Sequence, residues 1–225
     1  MANFKWLRNE SNRVSNPRTY QIAAETAIEK GEMVKLTNGL VVAVDADSDD
    51  PYLGIAACQH DGATVDGVQT ATTIPIYDDP NDVFALYPSG VITATGGSTT
   101  TFVDSSLLPA TDNILNGGVI KIVTCALDSS LVGRVINISD FTGSGGTITL
   151  GETLPVAISA GDTALLLPGP RAIGQYGWDL NSDGDDINWE SNGGESLIFV
   201  GSDILNFFAF FKLRLHIKGS HPGAL

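Results

Sequence analysis

The sequence predicts an all-β protein: two small β-sandwich or β-barrel modules preceded by an extended N-terminal arm. Three observations carry this. Short apolar runs recur along the chain, each closed by a turn built from Gly, Asn, Asp or Pro. The 25 Gly and 10 Pro suit strands with many turns, and 43% hydrophobic against 17% charged residues is too apolar for a disordered chain. At 225 residues the chain can bury one large core or two small ones.

Residues 1–19 are expected to form the arm, since Asn, Ser, Arg and Pro dominate there. Phe4 and Trp6 stand out in that polar context. Two readings are open: an arm that docks on a neighbouring molecule, or a first strand packed back on its own domain. In the docking reading the contact residues are Phe4, Lys5, Trp6, Arg8, Arg13 and Arg18.

Residues 20–100 are expected to form the first module. Thr19 to Ala27 reads as its first strand. Asn38-Gly39 lies between two apolar-rich runs, and both residues tolerate positive φ, which suits a two-residue hairpin. An acidic turn, Asp45 to Pro51, precedes the small-residue strand Tyr52 to Cys58. Thr72 to Tyr77 and Val83 to Tyr87 complete the run. The polar stretch Gly96 to Thr101 is the best boundary.

Residues 101–225 are expected to form the second module. Its strands are Val119–Thr124, Leu131–Ile138, Thr147–Leu150, Val156–Ser159, Ala164–Leu167 and Leu197–Val200. From Phe207 the odd positions are apolar, and from Lys212 the even ones are basic, a period of two that marks a strand with two unlike faces. A helix starting at Ser202 or Asp203 competes for the front of that segment.

The net charge is −14, unevenly placed. Residues 1–20 carry +3, whereas residues 36–211 hold 22 acids against Lys121, Arg134 and Arg171. An acidic body is repelled by nucleic-acid phosphates and anionic membranes, so neither is an expected partner. No apolar run reaches the length of a membrane span. The first residues lack a signal-peptide core, which points to synthesis and assembly in the cytosol. Cys58 and Cys125 fit buried small hydrophobes better than a disulfide or metal knuckle.

Asp179 to Glu190 matches the twelve-residue calcium-loop pattern. Asp179, Asn181, Asp183 and Glu190 would supply side-chain oxygens and Asp185 its backbone carbonyl, with Gly184 allowing the sharp turn. Asp186 stands where an apolar anchor is usual, and the flanks are not helical. A structural calcium ion and a solvated acidic turn both remain open, and no cofactor is required. Catalysis is not expected. His60-Asp61 is the one base-and-orienter pair, and Gly143-Ser144-Gly145-Gly146 lacks the setting of a nucleophile elbow.

Ile28-Glu29-Lys30-Gly31-Glu32-Met33-Val34, Gly39-Leu40-Val41-Val42-Ala43, Tyr52-Leu53-Gly54-Ile55-Ala56 and Asp61-Gly62-Ala63 occur in an order that resembles the small capsid decoration, or cement, proteins of tailed phages. The resemblance covers about Tyr20 to Tyr87. It implies a β-rich fold without catalysis, seated on the outer face of a major capsid lattice, often as homotrimers. The major capsid protein and other copies of the chain are the partners so implied. The arm and the long second half depart from that pattern. The alternative expectation is a tail, neck or head-fibre component whose second module binds a host glycan.

Overall fold

The computed structural model describes residues 4–11, 14–44, 52–65, 68–69, 72–79, 81–88, 91–107, 111–174, 179–180, 187–188 and 197–213. The protein is all-β: the helical elements among these residues are two short 3-10 turns, Ser129–Leu131 and Pro170–Ala172.

The first strands are β1 (Lys5–Asn9), β2 (Arg18–Gln21), β3 (Ala27–Ile28), β4 (Met33–Thr37) and β5 (Leu40–Ala43). They are followed by β6 (Tyr52–Ala56), β7 (His60–Asp61), β8 (Thr64–Val65), β9 (Val68–Gln69), β10 (Thr73–Tyr77) and β11 (Asp82–Leu86). Five of these pair antiparallel in the order β2-β10-β6-β4-β5. The two ends of that sheet meet. Ile22, just past β2, bridges Val41 of β5, and the Ala23 N–H donates to the Val41 carbonyl at 3.1 Å. The curled sheet encloses Ile22, Ile28, Val34, Val41, Ile74 and Ile76.

The Asn38-Gly39 hairpin forms as expected. Both residues have positive φ, 53° and 80°, and Thr37 pairs with Leu40. That twist matches the strands it joins. The expected strand from Thr19 to Ala27 is instead two pieces, β2 and β3, because Glu25 turns the chain at φ 59°. Strand β6 is buried along its length. A register shift against β4 turns its middle, so Tyr52 and Ile55 join a second, larger core while Leu53 and Ala56 stay in the small one. Cys58 lies beyond the end of this strand and is exposed, which corrects the expectation of burial; Cys125 is buried.

The next strands are β12 (Val91–Thr93), β13 (Gly96–Gly97), β14 (Thr101–Val103), β15 (Val119–Thr124), β16 (Val135–Thr142), β17 (Thr147–Leu150) and β18 (Thr163–Leu167). They form one sheet in the order β12-β18-β15-β16-β17-β14-β13. The two end strands are consecutive pieces of one segment, residues 91–97. Its first half pairs with β18 and its second with β14, so the sheet curls back on itself. Register shifts at Ile122/Thr124 and Ile138/Asp140 supply bends that curling requires. Ile92, Phe102, Ile120, Ile136, Phe141 and Leu166 fill its interior. Val156–Ser159 is not a strand. Residues 151–160 run across one end of the sheet, where Leu154 and Ile158 are buried and their N–H groups donate to the Thr99 and Ser98 carbonyls.

The last strands are β19 (Asp179–Leu180), β20 (Ile187–Asn188), β21 (Leu197–Asp203) and β22 (Phe208–Leu213). A turn, not a helix, links β21 to β22. The Asp203 carboxylate accepts from the Leu205 and Asn206 N–H groups and from Asn206 Nδ2. These bonds, those from Asn206 foremost, hold its pKa below the usual carboxylate range. From Phe207 to Phe211 the odd positions are buried, as the alternation predicts; Arg214, His216 and Lys218 lie outside the described residues.

A four-stranded sheet, β1-β11-β22-β21, gathers strands from both ends of the chain. Of the two readings left open for the first residues, residues 5–9 take the second: they form an edge strand packed on the chain's own domain, not an extended arm, because β11 offers them an antiparallel partner. A boundary at residue 100 would cut the seven-stranded sheet, which begins at Val91. The larger core runs without a break from Phe4, Met33 and Phe84 to Phe102, Ile120 and Phe211.

Candidate functional site

The candidate surface is built on β1. Its side chains alternate until a bulge between Trp6 and Arg8 breaks the register against β11. Phe4 is therefore turned into the chain's own core, at 3% exposure, and its N–H donates to the Gly31 carbonyl at 3.1 Å. Lys5, Leu7 and Arg8 are exposed. Trp6 is half-buried. Its ring stacks on Tyr77 with centroids 6.0 Å apart and planes 16° from parallel.

The buried carboxylate of Asp82 ties this segment down. It accepts from Trp6 Nε1 at 3.1 Å, Asn9 Nδ2 at 2.9 Å and Ser15 Oγ at 2.5 Å. Three donors balance the cost of burying its charge. Sequence reading missed Asp82. It stands in Asp78-Asp79-Pro80-Asn81-Asp82, which has the composition of a solvated turn. Glu10 adds an exposed ion pair to Lys212 at 2.7 Å, joining β1 to the C-terminal hairpin.

Arg18 lies at the start of β2 and pairs with Asp78 at 3.3 Å. Asp78 also accepts from the Tyr20 hydroxyl at 2.5 Å. Burial, reinforced by that carboxylate, pushes the Tyr20 phenol up to about 12.

Beside β1 lies a cleft of about 360 Å³. Gly31, Ile55 and Ala56 contribute to its lining along with Trp6 and Tyr77. Lys5 and Lys30 bring two positive charges to it. No hydrogen-bond partner for the Tyr77 hydroxyl or the Lys5 ammonium occurs among the described residues. The cleft thus combines aromatic walls, a hydroxyl and cationic side chains, a set suited to an apolar or aromatic body that carries negative charge.

The structure brings Phe4, Lys5 and Trp6 together at this cleft, with Arg8 further along β1 and Arg18 apart on the Asp78 side. Arg13 lies outside the described residues. So do Asn181, Asp183, Asp185 and Glu190 of the calcium-loop pattern; Asp179 is in β19, which pairs with β20. His60 does not use Asp61 as an orienter. Its Nδ1 lies 2.9 Å from the Thr26 carbonyl and 3.1 Å from the Gly62 N, while the Asp61 carboxylate accepts from the Ala63 N–H. Gly143–Gly146 is the turn between β16 and β17.

No protein-family model matches the chain, and no curated protein matches its sequence. Among solved structures, a chain from Mycobacterium phage Patience aligns with 96% of this chain and 97% of its own length, at 11% identity and a TM-score of 0.30.

Proposed function

We propose that the protein is a structural component of a tailed-phage virion: a decoration, or cement, protein that binds the outer face of the major capsid lattice and stabilises it. The observation that carries this reading is the folding of the decoration-like stretch. Its quoted phrases supply β4, β5 and β6, three adjacent strands of the five-stranded sheet, together with the turns beside them. In space these strands lie side by side as β6-β4-β5, so the phrases build one continuous part of a curled sheet.

In this reading the exposed flank of β1 meets the shell. Lys5, Arg8 and Leu7, the last 41% exposed, share one short strand, and Val14 follows at 82% exposure. Each such contact is weak alone, and repetition over a symmetric lattice multiplies it. Copies of the chain sit together there as homotrimers. Because β1 is integral to a sheet, charge reversal is a cleaner test than deleting the segment. The double variant Lys5→Glu, Arg8→Glu is expected to fold and to lose co-sedimentation with capsids that lack the protein. Unchanged co-sedimentation would remove β1 from the contact.

A further inference from the structure

The cleft beside β1 has a size, a charge and a position that together define an occupant. Its volume, about 360 Å³, is at the low end for a ligand pocket, which spans roughly 300–1,000 Å³. It suits a side chain or two, not a large cofactor. Lys5, whose ammonium has no hydrogen-bond partner among the described residues, gives it a positive charge in a chain whose net charge is −14. An anionic occupant is therefore attracted locally while the acidic body selects against the wrong approach.

Position narrows the choice further. β1 is the edge strand of its sheet, and the cleft opens beside it. An extended segment laid along such an edge presents alternate side chains to one side. Trp6 and Tyr77 offer aromatic surface to an apolar side chain, and Lys5 in the same lining brings a cation for a carboxylate beside it.

We propose that this cleft is a docking site for an acidic extended peptide segment of a protein partner, taking one aromatic or apolar side chain flanked by carboxylates. The inference does not depend on where the protein sits in a particle. A peptide titration reads the cleft directly, whereas capsid co-sedimentation reads the proposed function, so either can fail alone.

The test is a titration of the full chain, labelled for amide and indole NMR, with acetyl-Asp-Phe-Asp-amide and, separately, acetyl-Lys-Phe-Lys-amide. The acidic peptide is expected to shift the Trp6 indole N–H and the Lys5 and Gly31 amides saturably. Lys5→Glu should weaken this about 5-fold or more, as should raising the salt to about 0.5 M. Tyr77→Phe, which removes a single oxygen, should weaken it less while leaving the fold intact. Saturable shifts of the same resonances by the basic peptide with equal affinity would overturn the proposal. So would an absence of saturation by about 10 mM, a concentration that covers weak peptide binding, or an affinity that Lys5→Glu leaves unchanged.

Discussion

At the residue scale, the decoration-like phrases are held by glycines with backbone roles. Gly31 and Gly39 have positive φ, 86° and 80°. Gly54 has a different reason: a Cβ there would meet the Tyr77 carbonyl oxygen at 2.1 Å and Ile76 Cγ2 at 2.8 Å. The two kinds of constraint separate experimentally. Nothing lies within 4 Å of a Cβ at Gly39, so Gly39→Val is expected to cost only the left-handed conformation, about 1–2 kcal/mol. Gly54→Ala must displace backbone and should cost about 3 kcal/mol or more, read by denaturant unfolding. Tyr20 gives a pH prediction. Its folded value of about 12 exceeds the ordinary 10.0, so folding favours the neutral phenol. That contribution is complete below pH 10 and is lost as pH rises toward 12. The phenolate absorbance that disappears in Tyr20→Phe should titrate above 10 and move down in Asp78→Asn. A midpoint unaffected by Asp78→Asn would assign the whole shift to burial.

At the element scale, β1 depends on Asp82. Asp82→Ala strands the Trp6, Asn9 and Ser15 donors and should destabilise the protein by about 3 kcal/mol. Amide exchange should quicken in residues 5–9 first. The exposed Arg18–Asp78 pair, with Arg18 59% exposed, is expected to contribute less than about 1 kcal/mol in Arg18→Ala. These elements also show what was legible beforehand. The Asn38-Gly39 hairpin, β15 and β17 were legible because turn chemistry and alternation are local. The partner of β1 was not, since Lys5–Asn9 and Asp82–Leu86 meet across more than seventy residues and nothing local marks the pairing. The cleft was half legible: Phe4, Lys5 and Trp6 were singled out, whereas Tyr77 and Lys30 join them only through folding. Val156–Ser159 misled for a related reason. Val156 and Ile158 alternate as in a strand, but the Ile158 N–H bonds the Ser98 carbonyl in a loop.

At the scale of the whole molecule, the two curled sheets and the four-stranded sheet share apolar contacts. Phe84 of β11 and Phe199 and Phe211 of the C-terminal hairpin belong to the same core as the interior of the seven-stranded sheet. Calorimetry should therefore show one cooperative unfolding transition, and two separated transitions would contradict the continuous core. Removing residues 197–225 should leave β11 and its buried side chains uncovered and the remaining chain insoluble. If the proposed function holds, this body sits on a capsid, and a cryo-EM map of virions from a phage that carries its gene tests that most directly. Density for the curled five-stranded sheet is expected to repeat over the outer face of the capsid, with β1 toward the shell. Density confined to the tail, neck or a head fibre, or none on the particle, would contradict it.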